Sequence, residues 1–234
     1  MKAAILAGGM GKRLRPLTLD RPKAMVEIAG RPIVEWQVRW LAAAGVKEIV
    51  LCVGVLWEKI KERYGDGTSL GVKLHYSVEG EPMGTGGAFH KALDYIKGEP
   101  FFGMNGDVMT NLNPMRLREE TGKVGALALI PFRSPYGIVV TDGPVIESFK
   151  EKAVLSDVWM SAGVYYFSEK ARKYLPERGD VEQTTFPQLA GERGLAGVKF
   201  PKAFWRTADT VKDVEEANKE GATIAKALGS LADA

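Results

Sequence analysis

The chain has 234 residues, of which 45% are apolar and 26% charged, the composition of an ordinary globular protein with a substantial core. Its net charge of +3 is too small to indicate binding to nucleic acid or to a membrane surface. The sequence contains no run of about 18 apolar residues, the length that a membrane-spanning helix needs. Cys52 is the single cysteine, which excludes an internal disulfide bond and favours a cytoplasmic location.

The first half of the chain alternates strand-like and helix-like segments. Apolar runs bounded by turn residues predict strands at residues 2–6, 48–53, 72–77 and 101–105. Apolar residues three or four positions apart predict helices at residues 32–45, 56–65 and 86–96. This alternation predicts an α/β fold with a doubly wound, mixed but mostly parallel sheet. Ligands in such a sheet bind beyond the carboxyl ends of the strands.

The second half is richer in β-structure. The stretches "GALALIP", "GIVVTDGPVIESFK" and "WMSAGVYYF" predict strands, with a hairpin turn at "TDGP". Helical patterns return near Ser168, after Asp180 and from Thr210 to the end. No linker or repeat interrupts the chain, so we expect one continuous domain over residues 1–234 with a β-rich lobe inserted late.

A glycine-rich, basic loop follows the first predicted strand. Its sequence, "GGMGKRLRPLT", lacks the glycine spacing of both a Walker A loop and a dinucleotide fingerprint. Successive backbone N–H groups in such a loop bind phosphate oxygens, and Arg13 and Lys23 would neutralise the charge of a triphosphate. The alternative is a solvated basic turn.

The motif "NGD" ends at Asp107 and follows the strand predicted at residues 101–105. A carboxylate at a strand end beside a phosphate loop suits Mg²⁺, which prefers oxygen ligands and bridges phosphates. The alternative is a loop aspartate that caps a turn. In "EGEPMGTGGA", Glu79 or Glu81 could accept hydrogen bonds from a purine edge, whereas the plainer interpretation is a pair of surface acids.

Together these motifs resemble the sugar-1-phosphate nucleotidyltransferases, which form nucleotide sugars from a nucleoside triphosphate and a sugar 1-phosphate. The resemblance rests on ordered matches: "LAGGMGKRLRPLT" with "RPKAMVEIAGRPI", "EPMGTGGA", "NGD", "FKEK", "SAGVYYF", "TTFPQL" and "FWRTADTVKDVEEAN". It implies a Rossmann-like, GT-A-type fold, with a nucleotide-binding half at about residues 1–125 and a sugar-phosphate-binding half at about 126–234.

The resemblance also implies roles for individual residues. Catalysis would involve Arg13, Lys23 and Asp107. Nucleotide binding would involve Leu6, Gly8, Gly9, Gly11, Glu79, Gly84, Thr85 and Gly86. Sugar-phosphate binding would involve Gly137, Glu151, Lys152 and Ser161. Two positions near the implied sugar-phosphate residues depart from the family pattern: Ala153 replaces the usual proline after Lys152, and Ser161 replaces the usual asparagine.

The implied metal ligands are Asp107 and Asp209. Many family members carry a second aspartate where this chain has Thr207, and Asp209 lies two residues later, as in cytidylyl-transferring relatives. We therefore expect Asp209 to be the second ligand of Mg²⁺. The alternative is that Asp107 binds the ion with waters and phosphates alone, and that Asp209 only caps the helix that begins near Thr210.

The resemblance favours guanylyl transfer from GTP to mannose 1-phosphate or a related sugar. The alternatives are a glucose-1-phosphate thymidylyl-, uridylyl- or cytidylyltransferase, and a non-catalytic nucleotide-binding regulatory relative. The implied cofactor is Mg²⁺ and the implied partners are a nucleoside triphosphate and a sugar 1-phosphate. A homo-oligomer is compatible with this family, whereas no nucleic-acid or membrane partner is expected.

Overall fold

A seven-stranded sheet organises the protein, and the computed structural model describes residues 1–120 and 122–229 around it. The strands are β1 (Lys2–Leu6), β2 (Glu27–Ile28), β3 (Arg31–Pro32), β4 (Glu48–Val53), β5 (Lys73–Val78), β6 (Phe101–Asn105), β7 (Val108–Thr110), β8 (Gly125–Arg133), β9 (Ile138–Asp142), β10 (Val145–Lys150), β11 (Val154–Phe167), β12 (Leu195–Lys199) and β13 (Trp205–Thr207).

The helices flank this sheet. They are α1 (Ile33–Ala43), α2 (Glu58–Tyr64), α3 (Gly84–Ile96), α4 (Met115–Arg118), α5 (Thr185–Gly191), α6 (Val211–Lys219) and α7 (Gly221–Leu228). Short 3₁₀ turns lie at Lys12–Leu14, Lys23–Met25, Thr68–Leu70 and Glu169–Tyr174. None of these helices is long and apolar enough to cross a membrane.

The strand order is β12-β8-β11-β6-β1-β4-β5. Parallel pairing joins β6 to β1, β1 to β4, β4 to β5, and β12 to β8. Strand β11 runs antiparallel to both of its neighbours, β6 and β8. The predicted mixed, mostly parallel sheet is therefore confirmed.

Apolar side chains cover both faces of the sheet, because successive residues of a strand point in opposite directions. On β1, Ala3 and Ile5 pack in the cluster that includes residues of α1, whereas Ala4 packs in the cluster that includes Phe89 of α3. Buried parallel strands of this kind require helices on both sides. The doubly wound arrangement expected from the sequence follows directly.

The predicted elements of the first half are confirmed within a few residues, and the differences have local causes. Helix α2 begins at Glu58, two residues later than predicted, after Leu56 adopts a φ of +60° that is incompatible with a right-handed helix. The segment after Ser168 is a 3₁₀ turn. The helical pattern from Thr210 forms α6 and α7, and its last residues, 230–234, lie outside the described part of the chain.

The β-rich lobe is a hairpin of β9 and β10. Its turn lies at the predicted "TDGP", and the pairing of Asp142 with Val145 closes it. Strand β8 leads into the hairpin and β11 leads out of it. Because β8 and β6 run in the same direction, the hairpin extends from the sheet edge that carries the carboxyl ends of the parallel strands.

The loops after β1 and β6 approach each other closely at that edge. Asn105 is the last residue of β6, and a methyl group at Gly106 would overlap the carbonyl oxygen of Leu6, at the end of β1. Backbone atoms cannot swing away as a long side chain can. The residue before Asp107 therefore has to lack a side chain for the two loops to meet.

Gly106→Ala is expected to lower the free energy of unfolding by about 1–3 kcal/mol, the usual cost of forcing an extra carbon into a packed site. For a chain of this size each kcal/mol lowers Tm by roughly 2–4 °C. The measurement is thermal unfolding of the purified variant.

Gly9→Ala is the matched control, because nothing lies within 4 Å of a methyl group at Gly9 and its backbone is not left-handed. Equal Tm values for the two variants would mean that the loops separate without cost, contrary to this interpretation.

Candidate functional site

The glycine-rich loop runs along the carboxyl edge of the sheet directly after β1. Gly8 packs against the backbone of Gly54, which follows β4. Gly11 packs against Thr18 and Lys23, and the Thr18 hydroxyl donates a 2.8 Å hydrogen bond to the Gly11 carbonyl. The loop therefore folds back on itself and holds Lys23 over the strand ends.

Lys23 joins two carboxylates from distant parts of the chain. Its Nζ lies 2.9 Å from Asp107 Oδ2 and 2.8 Å from Asp209 Oδ1. Arg13 adds a longer contact, 3.3 Å from Nη2 to Asp209 Oδ1, with a side chain that is 74% exposed. The sequence analysis predicted catalytic or metal-binding roles for all four residues, Arg13, Lys23, Asp107 and Asp209. The structure brings them together.

A two-stranded ladder explains why Asp209 faces Asp107. Strand β13 pairs antiparallel with β7, with Thr207 opposite Val108. The ladder continues into a 3.1 Å hydrogen bond from the Ala208 amide to the Asp107 carbonyl. Asp209 then leaves β13 toward the charge cluster, whereas Thr207 remains in the ladder.

The capping alternative for Asp209 is wrong. Thr210 is the N-cap of α6 and forms a capping box with Asp213. Asp213 accepts a 2.8 Å hydrogen bond from the Thr210 amide, and the Thr210 hydroxyl accepts one from the Asp213 amide at 3.2 Å. Because these two residues satisfy the helix end, the Asp209 side chain is left to interact with Lys23 and Arg13.

The charges around Asp209 keep it ionised. Burial raises the pKa of Asp209, but the hydrogen bond and charge of Lys23, together with the charge of Arg13, bring that pKa below its usual value. At neutral pH the carboxylate is therefore an acceptor with a full negative charge.

Asp107 and Asp209 could together hold a divalent cation. Both present hard oxygen donors, the ligands that Mg²⁺ prefers, and in this structure the Lys23 ammonium lies between them. Among the described residues, no cluster of three or more His, Cys, Asp or Glu side chains has metal-binding spacing. The two carboxylates would hold Mg²⁺ where the Lys23 ammonium turns from them toward an anion such as a phosphate.

A cavity of about 430 Å³ opens beside this cluster, within the size range of small-molecule sites. Its lining comprises Leu6, Gly8, Gly9, Met10, Gly54, Val55, Glu79, Gly80, Glu81, Pro82, Met83, Gly84, Thr85, Ala88, Asn105, Gly106, Asp107 and Asp180. A smaller recess of about 90 Å³ connects the same strand ends to Lys23. Six of the eight predicted nucleotide-binding residues line the larger cavity; Gly11 and Gly86 do not.

The two glutamates left open by the sequence differ in their surroundings. Glu79 is half-buried, and its carboxylate accepts a 3.3 Å hydrogen bond from the Met83 amide. Burial raises the pKa of Glu79, although the Met83 hydrogen bond and the Lys91 charge partly offset this. Glu81 is 77% exposed and forms an ion pair with Arg178 at 3.4 Å. Glu79 is therefore the better-placed acceptor inside the cavity.

The start of α3 is packed against residues 176–182. Gly84 has a φ of +77°, and a methyl group there would meet the backbone of Gly179 at 2.6 Å. The Thr85 amide donates a 2.9 Å hydrogen bond to Asp180, and the Gly86 amide donates one of equal length to the Gly179 carbonyl. The first N–H groups of α3 are thus satisfied by protein atoms, and Gly86 has a packing role that the motif did not indicate.

The predicted sugar-phosphate residues fall into two places. Gly137 lies at the base of the hairpin, just before the pairing of Ile138 with Lys150, and therefore faces the turn that carries Glu151 and Lys152. Lys152 is exposed and has a φ of +50°. Ser161 lies on β11, opposite Leu129 of β8, and no hydrogen bond joins it to the hairpin base among the described residues.

A polar cluster that sequence reasoning missed surrounds the hydroxyl of Tyr165. This hydroxyl lies 3.2 Å from Asn105 Oδ1 and 3.3 Å from Glu182 Oε1, and it also interacts with Ser161. Burial raises the pKa of Tyr165, so the hydroxyl keeps its proton. Asn105 in "NGD" and Tyr165 in "SAGVYYF" lie within quoted motifs, whereas Glu182 lies in residues 178–183, which match none.

Comparison with known proteins identifies similar sequences over most of the chain. Residues 2–223 match the nucleotidyl transferase family. Mannose-1-phosphate guanylyltransferase catalytic subunit beta from Danio rerio is 35% identical over 225 residues, which cover 91% of this chain and 62% of that protein. D-glycero-alpha-D-manno-heptose 1-phosphate guanylyltransferase from Campylobacter jejuni is 36% identical over 172 residues, 72% of this chain and 76% of that protein.

A solved structure shares the fold. HddC from Yersinia pseudotuberculosis, complexed with GMP-PN, matches with a TM-score of 0.73 at 25% identity, covering 94% of this chain and 98% of that chain. The match to the Danio rerio protein spans only 62% of that relative's length. The family match extends over nearly all of this chain and includes every part of the charge cluster, so the chain belongs to the nucleotidyl transferase family.

Proposed function

We propose that this protein is a Mg²⁺-dependent sugar-1-phosphate nucleotidyltransferase that transfers a guanylyl group from GTP to mannose 1-phosphate or a related sugar. The observation that carries the proposal is the Lys23 ammonium shared by Asp107 and Asp209 beside a cavity of about 430 Å³. This arrangement offers positive charge to phosphates and carboxylates to a cation at one point. Family membership supports it.

The chemistry requires no activated protein nucleophile. A phosphate oxygen of the sugar 1-phosphate attacks the α-phosphorus of the nucleotide, and the bond from that phosphorus to the pyrophosphate oxygen breaks. The attacking oxygen is already anionic, so the protein contributes positioning and charge neutralisation. Arg13 and Lys23 face the triphosphate, and Mg²⁺ on Asp107 and Asp209 would offset the charge that builds on the leaving pyrophosphate.

Sugar-phosphate binding is assigned to Gly137, Glu151, Lys152 and Ser161. Lys152 forms no ion pair among the described residues, so its ammonium is available to an anion. The hairpin base holds it above the edge of the sheet where the nucleotide would lie. The sugar phosphate would then approach from the hairpin side, opposite the glycine-rich loop, as an in-line displacement requires.

Two broader expectations accompany this proposal. The division into a nucleotide half and a sugar half describes the main contributions only, because Asp209 and Asp180, from the second half, lie at the nucleotide side. A cytoplasmic location is inferred from the lone Cys52, which is buried and unpaired.

The first test measures pyrophosphate release from a panel of four nucleoside triphosphates and several sugar 1-phosphates. We expect the highest kcat/KM for GTP with mannose 1-phosphate or a related sugar, and loss of activity with a chelator. A preference for dTTP, UTP or CTP would contradict the guanine assignment. No release with any pair would instead favour a non-catalytic nucleotide-binding protein.

Guanine recognition is assigned to Glu79. Guanine presents a ring N–H and an amino group as donors, and the half-buried carboxylate of Glu79 lines the cavity as an acceptor. The names of the two similar guanylyltransferases, and the GMP-PN bound to HddC, support a guanine nucleotide.

Glu79→Gln is expected to lower kcat/KM for GTP by roughly 10- to 100-fold, because a buried acceptor is exchanged for a group that presents a donor to donors. The KM for the sugar 1-phosphate should stay nearly unchanged. Glu81→Gln is the control, since Glu81 is exposed and paired with Arg178. A larger loss in the control than in Glu79→Gln would reassign the base contact to Glu81.

Asp209→Asn tests the metal assignment. We expect the Mg²⁺ concentration for half-maximal activity to rise about tenfold or more, because a neutral amide is a weaker ligand for a hard cation. Asp213→Asn is the control, since it weakens the capping box of α6 without removing a carboxylate from the cluster. If both variants shift the Mg²⁺ requirement equally, the integrity of α6 is responsible and Asp209 is not a ligand.

A further inference from the structure

Glu182 links the first turn of α3, beside the main cavity, to strand β11. It lies between the 3₁₀ turn Glu169–Tyr174 and α5, in a segment that matches no motif. Its Oε2 accepts a 2.6 Å hydrogen bond from the Thr85 hydroxyl, in the first turn of α3. Its Oε1 lies 3.3 Å from the Tyr165 hydroxyl, on β11. One carboxylate therefore contacts both the nucleotide cavity and the strand that carries Ser161.

The acceptor capacity of Glu182 is only partly used. The Tyr165 hydroxyl has one proton, and Asn105 Oδ1 at 3.2 Å competes with Glu182 Oε1 for it. A carboxylate has about four lone-pair directions, so at least two remain open. Among the described residues, Glu182 forms no ion pair that would occupy them.

Glu182 and Ser161 both reach solvent beside the same buried tyrosine. Tyr165 is 1% exposed and its hydroxyl interacts with both, whereas Glu182 and Ser161 are themselves exposed. Thr85 and Asn105, which complete the surroundings, line the main cavity. An exposed acceptor fixed by two neutral donors is suited to neutral hydroxyl groups. Its negative charge would repel a phosphate, so the phosphate end of a sugar 1-phosphate would point away from it.

We propose that Glu182 is a specificity residue of the sugar site, whose carboxylate accepts hydrogen bonds from ring hydroxyls of the sugar 1-phosphate. This inference rests on the proposed function and extends it to a residue outside the motifs. Thr85 and Tyr165 hold the carboxylate in place, and the Ser161 hydroxyl, which also interacts with Tyr165, offers a second contact. The site would then orient the sugar with its phosphate toward Lys152 and its hydroxyls toward Glu182.

The experiment compares mannose 1-phosphate with monodeoxy analogues that each lack one ring hydroxyl. In the unmodified protein, kcat/KM for at least one analogue should be about tenfold or more below that for mannose 1-phosphate. This is the effect of losing one hydrogen bond to a charged group. In Glu182→Ala and Glu182→Gln, the difference between that analogue and mannose 1-phosphate should shrink to within about threefold. The KM for GTP should change by less than about threefold.

Glu192→Gln is the matched control. Glu192 accepts a 2.6 Å hydrogen bond from the Tyr174 hydroxyl, the same type of pair at an exposed position outside the cavity. This variant should keep the full discrimination among the analogues. Thr85→Val provides the second comparison: it removes the contact that pins Glu182 to α3, and the hydroxyl that accepts from the Val181 amide, but it leaves the carboxylate in the site. It should reduce the discrimination among the analogues less than Glu182→Ala does.

A purely structural brace predicts a different result. If Glu182→Gln raises the KM for GTP and for the sugar 1-phosphate in parallel, and Thr85→Val does the same, Glu182 only ties α3 to β11 and the inference is overturned. Undiminished discrimination in Glu182→Ala would overturn it too.

Calorimetric titration with mannose 1-phosphate and its analogues separates this inference from the proposed function. If the unmodified protein binds the sugar phosphate but forms no pyrophosphate, the proposed reaction fails. The loss of hydroxyl discrimination in Glu182→Ala, measured by affinity, would still support the inference. If none of the sugar 1-phosphates in the panel binds, the assignment of Glu182 to a sugar site is wrong.

Discussion

The Lys23 ammonium is the interaction on which the arrangement of the site depends. Asp107 and Asp209 would repel each other if they met without a cation between them, and partial burial would strengthen that repulsion. Lys23, only 15% exposed, removes it by contacting both carboxylates at 2.8–2.9 Å. The glycine-rich loop, the loop after β6 and the entry to α6 are therefore held together by one charge. A chain without that lysine would need another cation at the same point.

Much of the fold follows from short-range sequence patterns. Strands β1, β4 and β6 are buried apolar runs bounded by turn residues, and both predicted phosphate and metal loops follow such strands. Asp107 could be placed at the carboxyl edge from this pattern, because parallel strands end at one edge of a sheet. The "DG" in the hairpin turn was equally local, since glycine supplies the positive φ at Gly143 that the turn uses.

The remaining features depend on contacts between distant segments. Asp209 faces Asp107 because β13 and β7 pair in one particular register, and no spacing within either strand encodes that register. Glu182 contacts Thr85 because residues 176–182 pack on the glycines at the start of α3. Gly86 looked like a ligand-binding glycine for the same reason that it packs well: it has no side chain. A motif identifies where space is needed but not which group fills that space.

The direction of β11 explains how the hairpin of β9 and β10 lies over the sheet edge that carries Asp107. If every strand were parallel, each would present only its carboxyl end there. Strand β11 is antiparallel, and its pairing of Val164 with Met104 brings its earlier residues beyond the carboxyl end of β6. Ser161 therefore reaches the level of Asp107, and the hairpin that precedes β11 extends over the same edge. One reversed strand thus brings Ser161 and the hairpin, from the second half of the chain, to the sheet edge that carries Asp107.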